Sequence, residues 1–205
     1  MPGDLACGIL CGGSGTRLGG REKALIEIGG KPILARLLDR LGLHFSEIVI
    51  STNRPELFGW TGLPCVPDRL RVRSPLAGLH GILSGIRSPR AFVVGCDMPG
   101  ASLSLANRLA EEEADAAIPV SPAGDEPLHA VYSTSCVAAI EGAAEKGRWK
   151  MTDFLTDVRA VRIPADPAIW SETQLTPFFN LNTPEDLKRL EALYRGDLEG
   201  PSGRC

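Results

Sequence analysis

Residues 10–23, Leu-Cys-Gly-Gly-Ser-Gly-Thr-Arg-Leu-Gly-Gly-Arg-Glu-Lys, join a glycine-dense stretch to two ordered cations, Arg17 and Lys23. They follow the apolar run Leu5–Leu10, which reads as a buried strand. A loop without side chains brings backbone N–H groups close to a ligand, and N–H groups with cations suit a polyphosphate. Two familiar phosphate motifs do not fit. A dinucleotide fingerprint counted from Gly13 and Gly15 needs glycine where Leu18 stands. A P-loop counted from Gly15 reaches Gly20, then requires Lys-Ser/Thr where the chain has Arg21-Glu22. A flexible loop that binds nothing is the bland alternative, and it leaves the two cations unexplained.

Two further polar residues stand where strands should end. Asn53 lies two residues past Ser51, and Asp97 directly follows the apolar run Ala91–Gly95, in Cys96-Asp97-Met98-Pro99. Open parallel sheets bind ligands beyond the carboxyl ends of their strands. A carboxylate at the mouth of a buried strand needs a cation or strong donors. Mg²⁺ carried by substrate phosphates meets that need, since magnesium takes only one or two protein carboxylates. An aspartate capping the next turn, helped by Pro99, meets it equally well.

The elements that must position these residues alternate between strands and helices, which implies a mostly parallel sheet flanked by helices. Pro32 can open a helix carrying Ile33, Leu34, Leu37, Leu38 and Leu41, closed by Gly42. Residues 47–51 read as a strand, Ser74-Pro75 as a helix start, and Ala91–Gly95 as a strand covered on both faces. Ser102 should cap a helix running to Glu111–Glu113, whose charges form a solvated face. Strands at 116–120 and 128–132, a helix at 135–146 and a last helix from Thr183-Pro184 complete the pattern, with a frayed tail over 196–205. One domain over residues 1–195 is expected.

With 205 residues the chain suits one substantial α/β domain. A net charge of −3 excludes a broadly basic surface, so no nucleic acid partner is expected. No apolar stretch approaches the roughly 20 residues of a membrane span, and the first residues lack a secretory pattern. None of the six cysteines forms a C-x-x-C pair, which fits free thiols in a reducing cytoplasm.

The ordered blocks of this chain resemble those of molybdenum cofactor guanylyltransferases, within the superfamily that takes an NMP from an NTP and releases pyrophosphate. The loop from Leu10 to Lys23 resembles the NTP-binding signature, with Cys11 for the usual alanine and Glu22 where aspartate is common. Asn53-Arg54, Pro67-Asp68 with Pro75-Leu76-Ala77-Gly78-Leu79, Cys96-Asp97-Met98-Pro99, and Asn180-Leu181-Asn182-Thr183-Pro184-Glu185-Asp186-Leu187 carry the rest. The resemblance implies a single-domain, Rossmann-like three-layer α/β/α fold of the nucleotide-diphospho-sugar transferase type. It implies that backbone amides of Leu10, Cys11, Gly12, Gly13, Ser14 and Gly15 hold the base and phosphates of GTP. Lys23 and Arg17 would neutralise phosphate charge, Asn53 and Asp68 would contact the nucleotide, and Asp97 would hold Mg²⁺. Molybdopterin would be the acceptor, with His129, Asn180 and Asn182 as candidates on its side and cofactor-receiving proteins as transient partners. His129 as a core or surface residue stays open, as does the Arg148-Trp149-Lys150 cluster, which suits a phosphorylated pterin or a solvated helix end. Gly12-Gly13, where related enzymes for smaller bases carry Ala-Ala, favours guanine. A cytidylyl- or sugar-phosphate nucleotidyltransferase, and a non-catalytic nucleotide-binding relative, are the alternatives.

Overall fold

The computed structural model describes residues 5–12, 22–72, 74–166, 170 and 175–198. In chain order these form β1 (Leu5–Leu10), a short hairpin of β2 (Glu27–Ile28) and β3 (Lys31–Pro32), α1 (Ile33–Leu41), β4 (Ile48–Ser51) and β5 (Cys65–Val66). Then come α2 (Pro75–Gly85), β6 (Arg90–Gly95), α3 (Leu103–Ala110), β7 (Ala116–Ser121), β8 (Gly124–Asp125), β9 (His129–Ser133), α4 (Cys136–Glu145), β10 (Ala160–Pro164) and a last helix, α5 (Pro184–Leu198).

Strand periodicity builds the layers. Along β1, Leu5, Cys7 and Ile9 join an apolar cluster with Leu34, Leu37 and Leu41 of α1 and Leu105 and Leu109 of α3. Ala6 and Leu10 point the other way, into a second cluster with Leu76, Leu79 and Ile82 of α2 and Ile140 of α4. Side chains two apart share a face, so β1 is covered on both sides and every one of its residues is buried. This is the three-layer arrangement expected from the sequence.

The main sheet runs β10-β7-β9-β6-β1-β4-β5, with β8 paired to β7. β4 lies parallel to β1 on one side and β6 parallel on the other, whereas β9 is antiparallel to β6 and β7. The chain thus steps from β1 outward to β4 and β5, and α2 then carries it back to the opposite side of β1. Such a reversal leaves a crevice at the strand's carboxyl end.

Helix starts follow side-chain chemistry. The Ser74 hydroxyl accepts from Ala77 N at 3.2 Å, and Pro75 sits where its missing N–H costs nothing. The Ser102 hydroxyl accepts from Leu105 N at 3.2 Å. At α5, Thr183 and Asp186 exchange bonds: Asp186 N donates to the Thr183 hydroxyl at 3.1 Å and Thr183 N donates to the Asp186 carboxylate at 2.8 Å. That is a capping box with aspartate in the acidic position.

α3 does run from its Ser102 cap up to the acidic triplet, where Arg90 donates to the carbonyls of Ala110 and Glu112. Several expectations need correction. α5 runs through Leu198, so residues 196–198 are helical rather than frayed. The hairpin, β5 and β10 are elements that periodicity did not reveal. The hairpin belongs to a third apolar cluster, in which Ile26, Ile28 and Ile33 pack against Leu175, Phe179, Leu181 and Leu190. Arg36 reinforces it, donating to the Ile28 carbonyl with its guanidinium 4.0 Å from the centre of the Tyr194 ring.

Candidate active site

The three central strands stay paired right up to the crevice. Cys11 N donates to the Ser51 carbonyl at 2.9 Å, and Cys96 N donates to the Leu10 carbonyl at 3.1 Å. Leu10 and Cys11 are buried beneath the site floor. Burial, and then the neighbouring Cys96 thiol, push the Cys11 thiol well above its ordinary range, so it remains an unreactive thiol. Gly12 is exposed at the rim. Its φ is not in the left-handed region, and among the described residues a Cβ there would meet nothing within 4 Å. Neither backbone conformation nor packing against the described residues therefore calls for glycine at 12. Gly13, Ser14, Gly15 and Arg17 lie outside the described residues.

Beyond β6, the Lys23 ammonium donates to the Asp97 carboxylate at 2.7 Å and to the Asn182 side-chain oxygen at 2.6 Å. Lys23 and Asp97 side chains are each 18% exposed, so this charge pair sits at the mouth of the crevice with limited access to water. Leu181 N donates to the Asp97 main-chain carbonyl at 2.9 Å, which docks the segment before α5 onto the strand end. The Asp186 carboxylate accepts from Asn182 N at 3.0 Å and from the Thr183 hydroxyl at 2.9 Å. Burial alone would raise the Asp186 pKa, but these donors outweigh it and hold the carboxyl below its usual range. Asn182 was a candidate for the acceptor side; its side chain proves to be a fixed partner of Lys23.

Beyond β4, Asn53 and Asp68 bind one another. The Asn53 amide donates to the Asp68 carboxylate at 2.8 Å, and Asp68 N donates back to the Asn53 oxygen at 3.0 Å. Two helix glycines allow α2 to press this close. A Cβ on Gly81 would stand 2.6 Å from the Pro67 carbonyl, and one on Gly78 would stand 2.5 Å from Leu10 Cδ2. Arg54 forms an ion pair with Glu22, a contact that sequence reasoning missed because it treated Glu22 only as a departure from the usual aspartate.

Other candidates do not join this constellation. His129 is fully buried, its Nε2 accepts from Ser102 N at 2.9 Å, and its ring packs edge-on against Phe92 and Phe178. It pairs with Val94 at the correct end of β6, but strand alternation turns the ring into the α1/α3 cluster. Its expected acceptor-side role is therefore replaced by a core role. Asn180 donates to the Phe178 carbonyl at 2.8 Å, within its own turn. Arg148 pairs with Asp157 at 2.6 Å and bonds the Asp153 carbonyl, while Lys150 N bonds the Asp153 carboxylate. Those bonds secure the turns that follow α4.

Among the described residues no three His, Cys, Asp or Glu side chains are grouped to enclose a metal ion. Asp97 offers a carboxylate just beyond β6, which fits magnesium arriving with phosphate ligands of its own and not a metal held in a protein cage. The profile of the MobA-like NTP transferase domain matches residues 7–160, most of the chain. The chain belongs to the MobA-like NTP transferase family. A probable molybdenum cofactor guanylyltransferase of Pelotomaculum thermopropionicum is 33% identical over 197 residues, covering 95% of this chain and 96% of that protein. A molybdenum cofactor guanylyltransferase of Desulfosudis oleivorans is 30% identical over 191 residues, covering 91% and 94%. The crystal structure of molybdopterin-guanine dinucleotide biosynthesis protein A from Archaeoglobus fulgidus superposes with a TM-score of 0.81 at 26% identity, covering 93% of this chain and 99% of that one.

Proposed function

We propose that this chain transfers GMP from GTP to the terminal phosphate of molybdopterin. An acceptor phosphate oxygen attacks the α-phosphorus of GTP, the bond to the bridging oxygen of the β-phosphate breaks, and pyrophosphate leaves with that electron pair. The observation that carries this reading is the meeting of Lys23 and Asp97 just beyond β6, whose last residue Gly95 pairs with Leu10 at the end of β1. Its support is the names of relatives that match nearly the whole chain.

Such a displacement asks little covalent chemistry of the protein; positioning and charge neutralisation carry the rate. Lys23 is the ammonium placed to meet phosphate charge, and Asn182 fixes where it stands. Asp97 is the residue that would hold Mg²⁺ bound to the nucleotide, and that ion would spread charge over the transferring and leaving phosphates. A glycine at 12 puts no side chain in the way of a purine ring, and the Asn53–Asp68 pair beyond β4 is placed to contact the nucleotide. All five described cysteines are free thiols, in keeping with a reducing, cytoplasmic setting.

The test is incubation with molybdopterin, Mg²⁺ and each labelled nucleoside triphosphate in turn. Pyrophosphate release and dinucleotide formation are expected with GTP. Equal turnover of CTP would overturn the guanine assignment. Tight GTP binding without pyrophosphate release would instead mark a nucleotide-binding module with no transferase activity.

A further inference from the structure

We propose that Glu22 and Arg54 are positioning residues: Arg54 holds the Glu22 carboxylate, and so keeps the Lys23 ammonium committed to Asp97. This rests on the nucleotidyltransferase reading and deepens it. Glu22 and Lys23 are consecutive and oppositely charged, yet each takes a different partner across the strand ends. Glu22 pairs with Arg54, beyond β4, and Lys23 pairs with Asp97, beyond β6. Because β4 and β6 flank β1, two adjacent residues reach to opposite sides of the same strand.

Burial makes the arrangement consequential. The Glu22 side chain is 6% exposed, whereas Arg54 is 54% exposed at the rim. A carboxylate so far from water is strongly destabilised without a cation. Once Arg54 is neutralised, the cations adjacent in the chain are Arg21 and Lys23; Lys23 is already paired with Asp97, so two carboxylates compete for its ammonium. Lys23 drawn to Glu22 leaves the place where nucleotide phosphates need it. Neutralising Glu22 as well removes the competitor and leaves the Lys23–Asp97 pair as it was. The backbone under Arg54 is itself fixed, since Arg54 N donates to the Thr52 hydroxyl at 3.1 Å and the neighbouring Asn53 is locked to Asp68. A guanidinium at the rim has one competing role, direct contact with the phosphates. That role gives the opposite behaviour in a double variant, because loss of a phosphate contact is not repaired by removing Glu22.

The experiment compares wild type, Arg54→Gln, Arg54→Lys, Glu22→Gln and the Glu22→Gln/Arg54→Gln double variant. Calorimetry with Mg·GTP alone gives Kd without reference to the acceptor, turnover gives KM and kcat, and thermal melting reports folding. Arg54→Gln should weaken GTP binding at least tenfold and raise KM more than it lowers kcat. Arg54→Lys and the double variant should each return to within about threefold of wild type, where a tenfold change corresponds to about 1.4 kcal/mol. A double variant as weak as Arg54→Gln overturns the proposal and makes Arg54 a phosphate contact. Wild-type affinity in Arg54→Gln overturns it as well. If Arg54→Gln does not fold, the double variant still decides by the same threefold and tenfold limits. A wild type that binds no nucleoside triphosphate removes the function reading and this inference together, whereas wild-type binding with unaltered Arg54→Gln removes this inference alone.

Discussion

The two halves of the crevice rest on the main cores to different degrees. Asp97 and Asn53 extend from strands whose neighbours are buried on both faces of the main sheet, in the two large apolar clusters. Asn182 follows Leu181 of the third, smaller cluster, built from the hairpin, the start of α1 and α5, whereas Lys23 stands where two cores meet: Ala24 is buried in the large α1/α3 cluster and Ile26 in the third. The anionic wall is therefore as stable as the sheet itself. The cationic wall depends in part on a satellite, through Leu181 and Ile26, that can loosen while the sheet stays intact, because cooperative units in one fold open at different free energies. Affinity for a polyphosphate should then be more easily lost than the fold.

The largest effect expected is on chemistry. Asp97→Asn should lower kcat by about 10²–10³-fold, the scale for losing one preorganised electrostatic contact, with little change in melting temperature. A melting temperature that collapses with kcat would make Asp97 a structural cap and erase the contrast between the two walls. Next is Leu190→Ala, at a fully buried position of the satellite. It should cost about 2–5 kcal/mol of local stability. Hydrogen exchange should rise through α5 and the hairpin while β1 amides keep their protection; equal loss everywhere would mean that a single core holds both walls.

Gly81→Ala perturbs the opposite side. The added methyl meets the Pro67 carbonyl, so Pro67 and Asp68 must shift, at about 1–3 kcal/mol for an overpacked contact. Weaker GTP binding with the Lys23–Asp97 pair unaltered is the expected outcome, and unchanged affinity would remove Asp68 from the nucleotide wall. The smallest effect is acid sensitivity of the α5 cap. The folded Asp186 carboxyl has a depressed pKa, so it stabilises the cap above the ordinary unfolded value of about 3.9. That contribution is lost as pH falls through the lower, folded value. Asp186→Asn should flatten this pH dependence of α5 protection; an unaltered profile would assign the acid response elsewhere.

The contrast also explains what the sequence disclosed. Continuous apolar runs marked β1 and β6, and the residues just past their ends, Gly12 and Asp97, stand where those runs place them. Lys23 and Asn182 are 159 residues apart, and no local pattern links them; only tertiary packing does. The hairpin strands have two residues each, too few to show alternation. β10 is a half-exposed edge strand containing Arg162 and Pro164, so it lacks an apolar run. His129 shows the limit from the other direction: its place in the chain was legible, but the face its ring takes depends on pairing with β6. The Glu22–Arg54 contact was similarly hidden, because opposite charges in a sequence do not say which partner each will choose.

A crystal structure with Mg·GTP bound is the most direct measurement. The triphosphate should lie between Lys23 and the Gly12 backbone, with Mg²⁺ about 2.1 Å from an Asp97 carboxylate oxygen and the base above Gly12. GTP bound away from the end of β1, with the Lys23–Asp97 pair untouched, would contradict a nucleotide site built from those two walls.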